Sequence, residues 1–349
     1  MEKLPTQCAA LDALTGGGLP TGTITQVFGE KALGKSILCF QAACATAAAG
    51  RTAVVLDTEQ SYESYLVDYR LPGMSKRFGK EIPVKAVDLK RVAKVSPKKR
   101  EKGATKGGGI SRSELVSLLS DTLTKAGVLY SENHISSVAD ILCPEFDLQI
   151  EAPKEPSVLI IQMPEITELL RLHGIDADTK VSEGENPRVE LRLKSTPVFE
   201  SALYRLVETT QAKLLIYDSL SAPLKARFPN TQDLPARSSS LAMLLSHAQR
   251  LCIQFGLSVL TTSHISIDPI KAWNRNPYGG VILGHDAKFS FEITKVDAKR
   301  SKDSNPEAVN PEARIEDENR GRVIWVQRHP AMADYSRYGY TALDEEGFH

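Results

Sequence analysis

Eight residues, Gly29-Glu30-Lys31-Ala32-Leu33-Gly34-Lys35-Ser36, constrain this chain more than any other stretch. They fit G-x-x-x-x-G-K-[S/T], the spacing of a loop that cradles phosphates. Before them, Thr23 to Phe28 is β-branched and apolar and reads as a short buried strand. After them, Ser36 to Ala49 is rich in alanine and free of Gly and Pro up to Gly50, which predicts a helix with a glycine stop. Phosphate binding requires this strand–loop–helix context, because successive backbone N–H groups and the positive end of the helix then face the anion. In this reading Gly29 and Gly34 allow the tight backbone path, Lys35 reaches the β/γ-phosphates and the Ser36 hydroxyl binds Mg²⁺. The glycines of Ala10 to Gly22 do not make a dinucleotide fingerprint, because they precede a strand instead of following one.

A chain of 349 residues is long enough for a large core. Lys+Arg equals Asp+Glu, 43 against 43, so no global field announces a nucleic-acid partner and local charge has to carry that argument. The five cysteines are scattered and form no C-x-x-C pair, which suggests neither a disulfide framework nor a zinc site. No segment resembles a signal peptide and no run has the length of a membrane span, so the expected setting is the cytoplasm.

Further acids stand at strand ends. Thr52 to Leu56 is a second strand that runs into Asp57-Thr58-Glu59. Two readings stand for Glu59: a carboxylate that activates water at the ligand-binding edge of a parallel sheet, or a solvated residue beside a helix cap. Lys213 to Tyr217 is an apolar strand ending in Asp218, the position of a metal-side carboxylate that acts through a metal-bound water. Alone, that pattern is common to many buried strands. Between Lys76 and Arg112 there are thirteen Lys/Arg against three acids, with Gly107-Gly-Gly, which reads as a flexible basic loop: a solvated stretch or a polyanion contact. Leu115, Leu118, Leu119 and Leu123 predict a helix over 111–129. Strand–helix alternation resumes from Ser157, giving an α/β fold with a mostly parallel central sheet and helices on both faces. The expected division is 1–72 and 157–349 for the core, interrupted by a basic, partly helical, partly disordered insertion at 73–156.

With these pieces in place the chain resembles the RecA/RadA recombinase superfamily, most closely its archaeal RadA branch and RadB-like paralogues. The matching stretches are Ala10 to Gly18, the loop 29–36, Val55 to Glu59, Leu214 to Leu220, Leu234 to Arg237, Thr261 to His264 and Gly279 to His285. The resemblance implies a RecA-like ATPase core with ATP and Mg²⁺ as cofactors, Lys35 and Ser36 on phosphates and metal, and Asp218 as the metal-side acid. It implies that Glu59 is the general base. His264 stands where the family usually has a glutamine that senses the γ-phosphate, and His285 matches a histidine that contacts ATP across a subunit interface. Lys288 resembles an interface lysine of the bacterial branch, and Pro330 falls near a segment that caps a neighbour's adenine. These imply a homo-oligomer.

The family's two DNA-facing loops correspond to 221–237 and 265–280. Lys225, Arg227 and Arg237 in the first, with Lys271, Trp273, Arg275 and Tyr278 in the second, suit a single-strand binder: cations track the backbone and aromatics stack on bases. Ordinary loop surface is the alternative for each. An arginine that normally follows Asp-Thr-Glu and stacks on adenine is replaced here around Tyr62 and Tyr65. The sequence starts almost at the ATPase core and carries no Phe-x-x-Ala filament linker, which on this resemblance reads as a paralogue. The implied function is an accessory, DNA-dependent and slow ATPase of recombination and repair that binds single-stranded DNA and assists a main RadA-type recombinase. Two alternatives stand: an autonomous strand-exchange recombinase, and a KaiC-like signalling ATPase that does not use DNA.

Overall fold

Five strands consist of residues buried almost without a break, the pattern of strands covered on both faces. In the computed structural model, residues 2–87, 89–93, 146–150, 155–163, 165–181, 189–228, 233–267, 275–278, 283, 286–296, 306–310 and 320–349 are described. The chain runs α1 (Ala9–Thr15), β1 (Ile24–Gly29), α2 (Lys35–Ala48), β2 (Ala53–Asp57), α3 (Asp68–Phe78), β3 (Val84–Ala86) and β4 (Val158–Gln162). Then come α4 (Ile166–Leu172), α5 (Ala202–Thr210), β5 (Leu214–Asp218), α6 (Ser221–Arg227), α7 (Leu234–Phe255) and β6 (Ser258–Ile267). The last part is β7 (Phe289–Lys295), β8 (Gly321–Arg328), β9 (Arg337–Asp344) and β10 (Gly347–Phe348).

The central sheet has the order β9-β8-β7-β1-β6-β5-β2-β4-β3, with the short strand Glu307–Ala308 beyond β9. From β7 to β3 all neighbours are parallel, while β7–β8, β8–β9 and β9–β10 are antiparallel. This is the mostly parallel α/β sheet expected from the alternation of strands and helices, and it agrees with the fold that the resemblance implies. Its register matters for function. Asp218 at the end of β5 stands opposite Asp57 at the end of β2, and His264 in β6 stands opposite Gly29 in β1. The carboxyl ends of four parallel strands therefore meet at one edge, where ligands of such sheets bind.

Contacts divide the chain into two units, 1–87 with 152–349, and 88–151. Residues 73–87, expected in the insertion, belong to the first: α3 continues through Pro72 to Phe78 and stops at left-handed Gly79, and β3 pairs with β4. Of the second unit, Leu89–Ala93 pairs antiparallel with Phe146–Ile150. The expected helix over 111–129 and most of the basic run lie outside the described residues. Two elements were not legible in the sequence. Residues 174–197, punctuated by Gly, Asp and Pro, hold an antiparallel pair, Ile175–Val181 with Val189–Ser195. The β9–β10 hairpin was not anticipated either.

That hairpin is tied to the core by one buried amide. Gln41 on α2 donates through Nε2 to the carbonyls of Thr6 (3.2 Å) and Phe348 (2.9 Å), and its Oε1 accepts from the Phe348 N–H (2.6 Å). Replacing it strands buried backbone groups, at about 1–3 kcal/mol for each one left unpaired. Gln41→Met, close in volume, is therefore expected to lower unfolding stability by roughly 2–3 kcal/mol in urea titration; a change under about 0.5 kcal/mol would remove this amide from the account of how the hairpin is held.

Candidate functional site

The phosphate loop is built as its spacing requires. Gly34 is left-handed (φ 96°) and caps α2 without a side-chain hydrogen bond, so the first N–H groups of this 14-residue helix are left to an anion. A Cβ on Gly29 would stand 2.5 Å from the Ile293 carbonyl oxygen, and one on Gly34 would stand 2.7 Å from Leu343 Cδ2. Both glycines are thus demanded by close approach of neighbouring chain, in addition to any ligand. Lys35 Nζ donates to the carbonyls of Gly29 (3.1 Å) and Glu30 (2.7 Å). Burial pushes this ammonium below its ordinary pKa, against the pull of Asp218 and Glu59.

Two carboxylates face this lysine in contrasting environments. Asp218 is 2% exposed. Tyr62 donates its hydroxyl to Asp218 Oδ2 (3.0 Å), Thr262 donates to Oδ1, and the Ser36 hydroxyl also bonds it. Burial still raises its carboxyl above the usual range, with the charge of Glu59 adding to the shift. Glu59 is half-buried and moves the other way, lowered by its bond from His264 and held further by Ser219. Ser219 Oγ donates to Glu59 Oε1 at 2.9 Å, and His264 Nε2 lies 3.3 Å from the same oxygen. Two neighbouring acids are thus held in environments that shift them in opposite directions.

The supports around these acids come from neighbouring strand ends. Thr58 Oγ1 donates to the Ser219 carbonyl (2.7 Å) and accepts from the Ser219 N–H (2.8 Å), which locks the end of β2 to that of β5. Asp57 accepts from the N–H groups of Glu59 (3.2 Å) and Tyr62 (3.0 Å) and so shapes the turn that presents Glu59. Burial raises its carboxyl too. Asp57 thus holds the turn that follows β2, and Glu59 lines the cleft.

The cleft is a cavity of about 1400 Å³ that runs from Lys35 and Ser36 past Tyr65 and Arg70 to the β9–β10 hairpin. Tyr62 does not join its lining as an adenine platform: it is wholly buried against Phe40 with its hydroxyl on Asp218. Tyr65, half exposed, does line it. A wide π-turn over Tyr62–Val67 separates the two rings in this way. Sequence reasoning missed Thr262, Ser219 and the hairpin; each hydroxyl follows a strand of the motif set by one residue or sits within it, a weak signal.

Ser36 and Asp218 form a hard-oxygen pair suited to Mg²⁺. Among the described residues no group of three or more His, Cys, Asp or Glu could hold a metal ion.

The expected DNA-facing residues fall into three groups. Lys225 and Arg237 stand over the Tyr278 ring, 5.8 and 5.3 Å from its centroid, and so come together. Arg237 also donates to the Phe228 carbonyl, and Arg227 lies over the Phe228 ring. Arg275 is in a short strand, Arg275–Pro277, that pairs with the end of β6. Lys271 and Trp273 lie outside the described residues, as does His285. The Tyr278 N–H donates to the His264 carbonyl at 2.7 Å. Lys288 and Pro330 are exposed and do not line the cleft; they flank the Phe289–His329 ring pair (5.0 Å). Among the described residues no helix is long and apolar enough to cross a membrane.

Comparison with known proteins agrees with this geometry. The profile of the family described as Rad51 matches residues 1–83 and 188–308, more than half of the chain. The DNA repair and recombination protein RadB of Halobacterium salinarum is 54% identical over 56 residues, 16% of this chain and 24% of that protein. RadB of Thermoplasma volcanium is 48% identical over 59 residues, 17% and 25% respectively. The meiotic recombination protein DMC1/LIM15 homolog of Homo sapiens is 31% identical over 88 residues, 24% and 26%. The matched segments span about a quarter of each of these relatives. By fold, motif set and profile, the chain belongs to the Rad51 family of RecA-like recombination proteins.

Proposed function

We propose that this protein is a DNA-dependent accessory ATPase of recombination and repair, which binds ATP·Mg²⁺ and single-stranded DNA and assists a main recombinase. One observation carries the reading. Glu59 is gripped through His264, and the backbone of His264 is bonded directly to Tyr278, the ring that Lys225 and Arg237 surround. The hydrolytic base is thus two contacts from an aromatic and cationic cluster suited to stacking a base and tracking a phosphate. The names of the RadB relatives point the same way.

In this reading Lys35 and the α2 N-terminus bind the triphosphate, and Glu59 orients a water for attack on the γ-phosphate. Its depressed pKa keeps it ionised at neutral pH. Ser36 and Asp218 would hold Mg²⁺, whose chemistry is neutralisation of charge on the transferred phosphoryl group. Lys225, Arg227, Arg237, Arg275 and Tyr278, together with Lys271 and Trp273, are proposed to form the single-strand contact. Lys288, His285 and Pro330 are proposed to meet a neighbouring copy. Residues 88–151 are proposed as an insertion in the core.

Lys35→Ala is expected to weaken Mg·ATP binding at least roughly thirtyfold by calorimetry. Glu59→Gln is expected to keep binding and lose about 10²–10³ in turnover. A labelled oligonucleotide titrated with and without ATP, across a salt series, is expected to bind more weakly as salt rises, since phosphate contacts release counterions. Full turnover in Glu59→Gln, or oligonucleotide affinity that ignores both salt and ATP, sinks the proposal.

Asp218 supplies a second, signed expectation. Its folded-state pKa lies above the unfolded value, so its charge disfavours the ligand-free fold at neutral pH, and that penalty fades as pH falls through the folded pKa toward 3.8. Asp218→Asn is expected to exceed the wild type in urea midpoint at pH 7, with the gap closing on acidification, and to lose the stabilisation that Mg·ATP gives. A gap that does not change between pH 7 and pH 4 contradicts this account of the carboxylate.

A further inference from the structure

We infer that Lys225 serves the nucleotide as well as the strand: a base that stacks on Tyr278 displaces the lysine ammonium into the cleft, where it meets the γ-phosphate. The inference rests on the ATPase and strand-binding reading and deepens it, by naming a cation for hydrolysis within this same chain. Ala222, Lys225 and Ala226 line the cleft together with Lys35, Glu59 and His264. Their spacing, i, i+3 and i+4, is one face of α6, so this helix turns one side toward the phosphate loop. The two alanines beside the lysine are too short to screen its stem from the cavity. Other cations that line the cleft are committed to main-chain carbonyls: Lys35 to Gly29 and Glu30, Arg70 to Asp344, and Arg322 to Gly321. Lys225 is exposed, and its ammonium makes no hydrogen bond or ion pair among the described residues.

Both neighbours of Lys225 are tied to residues that hold Glu59. The Ala222 N–H donates to Ser219 Oγ at 3.2 Å, and Ser219 Oγ donates to Glu59 Oε1, so the first turn of α6 is fixed to the base. Tyr278, whose ring centroid lies 5.8 Å from Lys225 Nζ, is bonded through its N–H to the carbonyl of His264, the other partner of Glu59. Arg237 stands over the same ring at 5.3 Å and is anchored by the Phe228 carbonyl. Each cation is drawn to the ring and repelled by the other, and Lys225, without an anchor, is the one that leaves. A stacked base contributes more than an exposed cation–π contact, so it displaces the ammonium. In hydrolysis the water oxygen bonds to the γ-phosphorus as the bond from that phosphorus to the bridging oxygen breaks. Glu59 takes the water proton, and ADP leaves with the electron pair of the broken bond. Lys225 neither gains nor loses a proton: its N–H groups donate to γ-phosphate oxygens and offset the charge that collects on them.

The test measures steady-state Mg·ATP hydrolysis by the full chain, without and with a saturating single-stranded oligonucleotide. With the strand present, Lys225→Met is expected to lower kcat roughly tenfold while the KM for Mg·ATP changes less than about twofold. Tyr278→Leu, which removes the ring's hold on the lysine, is expected to raise strand-free kcat roughly threefold, and adding Lys225→Met to that variant is expected to abolish the gain. Lys225 is exposed, so Lys225→Met keeps the test usable should Tyr278→Leu unfold. A lysine that only tracked the strand would behave otherwise: saturating oligonucleotide would restore wild-type kcat to Lys225→Met, and a folded Tyr278→Leu would gain no turnover. Either result would overturn the inference. Wild-type protein that binds the oligonucleotide yet turns over equally with and without it would overturn it as well. Wild-type protein that hydrolyses no Mg·ATP would instead refute the ATPase reading, and the inference with it.

Discussion

A carboxylate with almost no exposure stands at the end of a central strand, and much of the site is arranged around it. Asp218 is the last residue of β5, buried by the strands on either side. Burying such a charge is unfavourable unless donors surround it. The chain supplies three hydroxyls, from Tyr62, Thr262 and Ser36, each delivered by a different element. None of these donors carries a full positive charge, so the carboxyl stays above its ordinary pKa. The nearest full positive charge is the Lys35 ammonium, itself largely buried and lowered by that burial. A structure made for stability alone would have placed an apolar residue here.

Glu59 shows the complementary arrangement a short distance away. It is half in the cleft, and a hydroxyl and an imidazole bond one of its oxygens. Its position is set by Asp57, which caps the turn, and by Thr58, which fastens that turn to Ser219. The three consecutive residues thus divide the work: one holds the turn, one joins two strands, and one faces solvent and ligand. The same fastening puts Ser219 where its hydroxyl meets Glu59. Glu59, two residues past the end of β2, and Asp218, at the end of β5, are thus joined through the Thr58–Ser219 bonds.

The sequence made the phosphate loop, the strand ends and the long helix Leu234–Phe255 legible, because each rests on local spacing or periodicity. The antiparallel end was less legible. Val189-Glu-Leu-Arg-Leu-Lys alternates as a strand should, and its partner Ile175-Asp-Ala-Asp-Thr-Lys-Val alternates too, but both are short and polar at every second residue, with Gly, Asp and Pro around them that read as loop. Tyr62 illustrates a different limit. Its neighbour Tyr65 has the same side chain three residues on, and only the wide turn between them decides which ring is buried and which faces the cleft. The β9–β10 hairpin was hidden because its contacts with α2 and α3 join residues nearly three hundred positions apart. No local pattern encodes such a pairing.

The connection between His264 and Tyr278 follows from how β6 ends. Up to His264 the strand is held in parallel register with β1, and its register with Gly29 ties it to the phosphate loop. Beyond that point it leaves β1 and pairs antiparallel with Arg275–Pro277. His264 sits at the change of partner, with its side chain on Glu59 and its carbonyl on Tyr278. A histidine cannot reproduce a glutamine amide, which offers a donor and an acceptor on one short arm. It reaches the base with one ring nitrogen, while its backbone carries the link onward. Movement of Glu59 toward a ligand would pull on the ring, and the strand end would transmit that shift to the Tyr278 backbone. The coupling would then depend on the hydrogen-bonded turn at the end of β6 more than on the identity of the side chain.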